Sequence, residues 1–406
     1  MSGQDDTDFL DQAVDGSGRD LAGAAAQGRR WMFLDALRGF DMFWITGGGF
    51  VVTALRGASE NVVTNFLKTQ LTHVEWEGFH FYDLIFPLFV FLAGVSTVLS
   101  LDKAVATHGR LGAMRRLVFR GILLFVLGII YSGGISKGWP DVRVMGVLQR
   151  IALSYTGAGL IYLWLPERLL PWILAVLLGG YYGAVSWLPL RDIKLQPDVV
   201  KSLVEEAGGA DIRAIYSRTT NWVTGVYEPG YNVAHHFDFE HLPGRLYDKY
   251  WDPEGILSTW PAVGTCLLGV LAALLLRRGD VSPGEKTVRL LLWGIGLILG
   301  GLFWSLWLPV IKKMWTSSYV LLAGGWSLVL MAVFHHVIEV HGSRRWCQPF
   351  VWVGTNSITI YFASQLLGFP RIAERLVGGP LRRGLGGAGQ VLVGVIAILL
   401  LFWFAR

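Results

Sequence analysis

The sequence has little charge and little cysteine. Charged residues make up 16% of its 406 residues, whereas a soluble domain carries about a quarter. The two cysteines, Cys266 and Cys347, lie far apart and form no CxxC pair, so they indicate neither a disulfide framework nor a zinc site. The net charge of +5 gives no reason to expect a nucleic-acid partner, because cytoplasmic loops of membrane proteins collect Lys and Arg. The composition therefore excludes an ordinary soluble domain of this length.

Long apolar runs dominate the chain. Hydrophobic residues make up 53% of it, and runs of about twenty residues, the length that crosses a bilayer as a helix, recur along most of the sequence. Helices satisfy their backbone hydrogen bonds within the segment, as lipid requires. The sequence predicts an all-α polytopic integral membrane protein with about ten transmembrane helices. The predicted spans lie near residues 31–55, 79–101, 111–131, 145–165, 171–190, 256–276, 290–309, 318–340, 350–369 and 385–404.

Charge outside the spans predicts how the chain is oriented. Residues 1–28 are acidic and rich in Gly, Ala and Ser, which is typical of a disordered tail. They lack the basic and apolar regions of a signal peptide. The pair Arg29–Arg30 precedes the first span and, with the basic loops, predicts that both termini are cytoplasmic. Residues 29–406 then form one transmembrane domain, with residues 191–255 as its external segment.

The densest group of ionisable side chains lies where the second predicted span begins. Residues 73–96 read HVEWEGFHFYDLIFPLFVFLAGVS, a polar and acidic half followed by an apolar helix. Ionisable groups at or within the hydrocarbon are costly, so their default interpretation is functional. We therefore expect the chemistry of this protein at the mouth of the second span.

Six segments form a specific combination, although each one alone is a weak signal. They are LDALRGFDMFW (34–44), the stretch 73–96, RVMGVLQRIALSY (143–155), DPEGILST (252–259), MWTSSYV (314–320) and GTNSITIY (354–361). Together and in this order they resemble the heparan-α-glucosaminide N-acetyltransferase family and its bacterial membrane relatives. The resemblance covers nearly the whole chain beyond the tail.

The resemblance implies that an acetyl group passes from cytosolic acetyl-CoA to an amino sugar or other glycan acceptor on the far side of the bilayer. Residues 29–406 would then be a transmembrane acyltransferase domain, and His73 matches the family's proposed active-site histidine. The relatives also suggest a homodimer. The short acidic tail leads us to expect a bacterial inner membrane. One departure is that Ile45 and Thr46 stand where the lysosomal enzyme has an Asn before a Gly run, so polar contacts there are expected to differ.

Three residues are predicted to carry the chemistry. His73 can take a proton from the acceptor or carry the acetyl group itself; the bland alternative is a solvated interfacial histidine. Asp83 can orient a histidine or hold a sugar hydroxyl, or it can simply meet the helix dipole. Arg150 can stabilise the oxyanion of the attacked thioester or form a buried ion pair. The same three residues also suit a proton relay in a membrane transporter, which is the rival function.

Further residues are predicted to hold the two substrates. On the donor side we expect contacts to acetyl-CoA from Arg38, Asp41, Gln149, Asn356 and Ser357, although amide and hydroxyl side chains also join helices in membranes. On the acceptor side we expect Trp76, Asp252 and Glu254. The external histidines show no HExxH spacing, so no metal is predicted.

Overall fold

The computed structural model describes residues 31–56, 61–136, 138–379 and 387–406, so the predicted tail 1–28 lies outside the described residues. The predicted all-α fold is confirmed. In the described ranges the strands are two short ones, β1 (Leu190–Arg191) and β2 (Trp222–Val223), which pair antiparallel. The helices are α1 Met32–Arg56, α2 Val62–Gln70, α3 Phe81–Tyr131, α4 Val147–Trp164, α5 Leu170–Trp187, α6 Pro197–Glu206, α7 Ile212–Arg218, α8 Val233–His241, α9 Ile256–Arg277, α10 Pro283–Trp304, α11 Ser317–His335, α12 Gln348–Thr355, α13 Ser357–Leu367, α14 Phe369–Val377 and α15 Gly387–Ala405.

Helix α3 is a hairpin that supplies two of the predicted spans. Gly109 has φ 69° and ψ 175°, values that no helix contains and that favour glycine. Residues 100–104 and 116–120 line the same cavity, although a straight helix would hold these stretches roughly 24 Å apart. The chain therefore reverses at Gly109, as the sequence predicts for residues between spans two and three. We call the two ends of the helical body the His73 end and the Gly109 end.

The predicted spans fall on helices, with one correction. Span 350–369 is not one helix, because it is interrupted at Asn356 between α12 and α13. The Asn356 amide and the Thr355 hydroxyl both donate to the carbonyl of Trp352, 3.3 and 3.0 Å away. Short polar side chains that bind the backbone in this way compete with helical hydrogen bonds.

Five helices in the described residues are long and apolar enough to cross a membrane by length and composition, which supports an integral membrane protein. The exact number of spans stays a prediction. The five are Phe81–Tyr131, Glu167–Trp187, Ile256–Arg277, Pro283–Trp304 and Ser317–Val340.

The centre of the body is a close contact between α3 and α9 made by glycines. A side chain at Gly94 would overlap the carbonyl of Cys266, and one at Gly269 would overlap the carbonyl of Phe91. Small residues let helix backbones approach closely, and such packing drives helix association in lipid, where the hydrophobic effect does not act between helices. This contact fixes α3, and therefore the His73 end of that helix, against α9.

We expect Gly94→Ala to destabilise the protein by about 1–3 kcal/mol or more, because the two backbones would have to separate. The matched control is Gly179→Ala in α5, where an added methyl group meets nothing within 4 Å and the higher helix propensity of Ala is neutral or slightly favourable. Thermal unfolding of the purified protein in detergent measures both. Equal unfolding temperatures for the two variants would contradict the close contact.

The segment between α5 and α9 covers the His73 end of the body. Its short helices enclose a small apolar core of Ile193, Leu195, Tyr216 and Phe239. It is joined to the body by a backbone bridge between Gly244 and Arg143. A second tie is the hydrogen bond from the Trp76 indole to the Tyr227 carbonyl, at 2.7 Å. The predicted external segment 191–255 therefore lies at the same end as His73.

Candidate active site

His73 and Asp83 form a hydrogen-bonded pair at the mouth of α3. The His73 Nδ1 atom lies 2.8 Å from Asp83 Oδ1. The other carboxylate oxygen accepts the backbone N–H groups of Val74 and His80, at 3.2 and 3.1 Å. The Asp83 side chain is 1% exposed, whereas that of His73 is 53% exposed. Asp83 is therefore held by the chain that carries His73, and it orients an accessible imidazole.

Lys312 completes a three-residue cluster that the sequence reasoning missed. Its Nζ lies 2.9 Å from His73 Nδ1 and 3.2 Å from Asp83 Oδ1. Burial lowers the pKa of Lys312, and the nearby Asp83 carboxylate opposes this shift. In the sequence Lys312 stands in a Lys–Lys pair between two predicted spans, a position where loop charge is the ordinary interpretation. Its position two residues before the MWTSSYV segment is the signal that would have found it.

The cluster opens onto a cavity of about 250 Å³. Its lining includes His73, Lys312 and Glu254 and the phenol rings of Tyr82 and Tyr361, and the other lining residues are apolar. Trp76 stands beside this cavity, with its ring packed against His235 and Trp251 rather than in the lining. We call this space the His73 cavity.

A second cavity, of about 440 Å³, is lined by Arg38, Ser96, Arg120 and Ser357 together with apolar residues. We call it the Arg38 cavity. Arg120 also lines an adjoining space of about 200 Å³ with Lys103 and Arg116. The Arg38 cavity therefore borders a basic pocket at the Gly109 end, and Arg120 and Tyr155 line both.

The His73 and Arg38 cavities share an apolar wall. Both are lined by Phe89 of α3, Leu148 and Ile151 of α4, and Ile358 of α13. Because these four side chains face both spaces, the two cavities are separated by a single layer of side chains. The three cavities thus lie in series between the Gly109 end and His73, with this wall between the Arg38 cavity and the His73 cavity.

Arg150 does not join the His73 cluster. It is 1% exposed, donates to the Pro253 carbonyl at 2.8 Å and to the Ser258 hydroxyl, and lies 4.7 Å from the centroid of the Trp315 ring. It is not among the residues that line either cavity. These partners are a carbonyl and a hydroxyl rather than the carboxylate of the expected ion pair, and they join α4 to the start of α9. A part for Arg150 in the chemistry stays a prediction.

Asp252 and Glu254, which the sequence predicts on the acceptor side, both pair with Arg143. Arg143 makes two hydrogen bonds to Asp252, at 2.9 and 2.7 Å, and one to Glu254, at 2.7 Å. Asp252 is 1% exposed, and Glu254 reaches the His73 cavity. Burial raises the pKa of Glu254, and the Arg150 and Arg143 cations oppose this shift. Of the two carboxylates, Glu254 is the one placed to meet a ligand.

The predicted donor-side residues divide into two groups. Arg38 and Ser357 line the Arg38 cavity, and Arg38 is held by Asp35, 3.2 Å away, and by Ser96. The other three are not among the residues that line this cavity: Asp41 is fully buried with no hydrogen-bond partner for either oxygen among the described residues, Gln149 packs against Gly128, and Asn356 binds its own helix.

The external histidines have structural contacts. His235 Nδ1 accepts the backbone N–H of Gly230 at 3.0 Å, and its ring stacks on Trp251 with centroids 3.7 Å apart. His236 contacts the Tyr216 hydroxyl at 3.1 Å, and burial lowers its pKa to about 4. Within the described ranges, no group of three or more His, Cys, Asp and Glu residues is arranged to hold a metal ion.

Asp238 makes the stability of this end of the molecule pH-dependent. One oxygen accepts the backbone N–H of Ile256 at 2.9 Å, and the other is buried without a hydrogen-bond partner among the described residues. Burial raises the pKa of Asp238 to about 8 from its ordinary value of 3.8. Between these values the folded protein holds a proton that the unfolded chain has lost, so the contribution of Asp238 to stability falls as the pH rises.

We expect Asp238→Asn to remove this part of the pH dependence. The unfolding temperature of the wild type should fall from pH 5 to pH 8 by more than that of the variant, with a difference in stability on the order of a few kcal/mol. Thermal unfolding in detergent at both pH values measures the effect. The same loss in both proteins would show that Asp238 is ionised in the folded state throughout this range.

Comparison with known proteins confirms the resemblance. No protein-family model matches the chain. It is 26% identical over 331 residues to human "Heparan-alpha-glucosaminide N-acetyltransferase", an alignment that covers 72% of this chain and 48% of the human protein. The mouse protein of the same name is 25% identical over 331 residues, which cover 73% of this chain and 49% of that protein. The chain therefore spans about half the length of the curated relatives it matches.

Proposed function

We propose that this protein is an integral membrane acetyltransferase that moves an acetyl group from acetyl-CoA, through the membrane domain, to the amine of a sugar. The observation that carries the proposal is the pair of cavities that meet at one apolar wall. One holds an accessible histidine fixed by a buried aspartate, and the other opens to a cluster of cations. The names of the similar proteins support this chemistry.

The His73 cavity provides the chemistry of acetyl transfer. With Nδ1 engaged by Asp83, the Nε2 atom of His73 is the ring nitrogen that can accept a proton. The amine nitrogen bonds to the thioester carbonyl carbon, the C–S bond breaks, His73 takes a proton from the amine, and the CoA sulfur leaves as a thiolate that takes up a proton from solvent. In the two-step alternative the acetyl group is first carried on Nε2.

The Arg38 cavity and its basic pocket suit the donor. CoA carries several phosphate charges at one end and a thioester at the end of a thin chain. Lys103, Arg116 and Arg120 offer cations for the phosphates, Arg38 and Ser357 offer donors along the chain, and the thioester would reach the wall. The apolar wall would admit a small neutral acyl group and exclude both charged substrates.

The acceptor is proposed to be an amino sugar at the His73 end. Glu254 can bind an ammonium or hydroxyl group of the sugar, and the rings of Tyr82 and Tyr361 offer apolar surfaces for the sugar faces. Trp76 and Asp252 are proposed to stabilise this site indirectly. Trp76 donates to the Tyr227 carbonyl, and Asp252 accepts a hydrogen bond from Arg143. We propose no metal in the reaction.

The charge distribution supports an orientation with the Gly109 end in the cytoplasm. Lys103, Arg110, Arg115 and Arg116 flank the α3 turn, and Arg277 and Arg278 end α9 on the same side. Both termini would then be cytoplasmic, and residues 191–255 would face outward. A bacterial inner membrane and a homodimer remain our proposals.

The first test uses purified protein, labelled acetyl-CoA and glucosamine. We expect acetylated sugar from the wild type and a loss of rate by a factor on the order of 10²–10⁴ in His73→Ala, because a proton acceptor in the transition state is removed. His108→Ala, which changes an exposed histidine at the Gly109 end, is the matched control and should keep the wild-type rate.

Three outcomes discriminate between mechanisms and functions. Label retained on the protein without acceptor, and absent in His73→Ala, favours the two-step route. Full turnover in His73→Ala would contradict the role of His73. Absence of CoA release combined with net sugar or proton flux across vesicles without acetyl-CoA would replace the acetyltransferase with the transporter.

A second test addresses the donor site. Arg120→Ala should raise the KM for acetyl-CoA about tenfold, the loss expected for one hydrogen bond between charged groups, and leave kcat little changed because Arg120 lies far from the reacting atoms. Arg115→Ala removes the same charge from an adjacent exposed position outside the basic pocket and should have little effect. Equal KM values for the two variants would contradict binding of the CoA phosphates in this pocket.

A further inference from the structure

We propose that Lys312 is a positioning residue that shares the Asp83 carboxylate with His73 and keeps the imidazole neutral. The inference deepens the proposed function, because either route of acetyl transfer requires a ring nitrogen of His73 that carries no proton. It rests on the three-way contact among these side chains and on the second positive charge that a protonated His73 would add to it.

The contact cannot be satisfied by all three groups in their charged forms. His73 Nδ1 has one in-plane hydrogen-bonding position, and both Asp83 Oδ1 and Lys312 Nζ lie within 3 Å of it, at 2.8 and 2.9 Å. A ring that donates Nδ1–H to Asp83 also has that N–H beside the Lys312 ammonium, which can only donate. With a neutral ring this contact holds one cation, whereas a protonated His73 would place two cations 2.9 Å apart, which is unfavourable. A neutral His73 that donates Nδ1–H to Asp83 leaves Lys312 its own bond to Asp83, at 3.2 Å.

Asp83 can accept from both His73 and Lys312 only as a carboxylate anion, whose single negative charge is then shared between them. One of its oxygens is committed to the backbone N–H groups of Val74 and His80, so the other must serve His73 and Lys312 together. A carboxylate that already balances one ammonium gives less support to a second cation beside it. The Lys312 ammonium, which its bond to Asp83 supports, thus opposes the charging of His73.

Ionisable groups from several elements face Lys312 and His73, and the Tyr82 ring of α3 lies with its centroid 4.8 Å from that of the His73 ring. Asp83 faces it from α3 and His73 from the chain before α3. Glu254 faces the same cavity from the chain before α9, where it is bonded to Arg143. Lys313, the next residue along the chain, lies 3.9 Å from Asp248 in the external segment. Tyr319 of α11 donates its hydroxyl to the Asp83 carbonyl at 2.8 Å.

The test reads the protonation of His73 directly and needs no turnover. Diethyl pyrocarbonate acylates neutral imidazole, and peptide mass spectrometry after digestion reports the rate at each histidine. The purified full-length protein is treated between pH 5 and pH 9, and the pH midpoint of the His73 rate is compared in the wild type, Lys312→Met, Lys312→Gln and Lys312→Arg. His108, exposed at the Gly109 end, is the internal reference.

We expect the midpoint for His73 to rise by about one pH unit in both Lys312→Met and Lys312→Gln, because removal of an adjacent cation leaves Asp83 to stabilise the imidazolium alone. Lys312→Arg keeps the charge and should keep the wild-type midpoint. The Gln variant preserves a donor in place of the ammonium, so it serves if the Met variant does not fold. The His108 midpoint should be constant throughout.

An unchanged His73 midpoint in both neutral variants overturns the proposal, and so does an equal rise in Lys312→Arg. Neither result affects the acetyltransferase proposal, which the labelled-substrate assay tests separately. Where the enzyme turns over, the acidic limb of kcat/KM should move upward with the midpoint in the neutral variants. A uniform fall in rate at every pH, with an unmoved midpoint, would indicate a purely structural Lys312.

Discussion

The buried carboxylate of Asp83 is the constraint on which the candidate site depends. A carboxylate held away from water is costly unless each oxygen has partners. Here the partners come from two distant parts of the chain: residues 73–80, which give an imidazole and two N–H groups, and Lys312, which gives an ammonium. Satisfying Asp83 therefore folds both segments over the mouth of α3 and fixes where His73 stands. The same bonds that reduce the cost of burial also build the site.

Polar groups lie at the His73 end and at the Gly109 end of the helical body, and the wall between the two main cavities is apolar. The cations at the Gly109 end and the His73 cluster line separate cavities, and Phe89, Leu148, Ile151 and Ile358 form the apolar wall that the His73 and Arg38 cavities share. A layer of hydrocarbon side chains opposes the passage of ions because a charge there loses its hydration. Such a layer is compatible with the passage of a small neutral acyl group. If the proposed function holds, this wall would separate the two substrates while their reacting ends approach from its two sides.

The sequence predicts what depends on local pattern and misses what depends on distant contacts. The apolar runs predict the helices, and the ionisable stretch at 73–96 contains both His73 and Asp83. Lys312 is 229 positions from Asp83 along the chain, and no local pattern relates the two. For Arg150 the sequence predicts an oxyanion contact or an ion pair, because hydropathy does not show that Pro253 and Ser258 receive its hydrogen bonds. The break at Asn356 was missed because an average over an apolar run does not register two side-chain bonds to one carbonyl.

The proton balance of the proposed reaction indicates a second role for the apolar wall, which is to limit proton leakage. An ammonium acceptor loses two protons on becoming an amide, while the departing thiolate takes up one, so each turnover releases one proton overall. If the thiolate is protonated at the Gly109 end and the amine loses its protons at the His73 end, the two events occur on opposite sides of the apolar layer. Water or ionisable side chains in that layer would let protons return between them. The four apolar side chains would therefore keep acetyl transfer separate from proton leakage, which a polar lining at the same place would not.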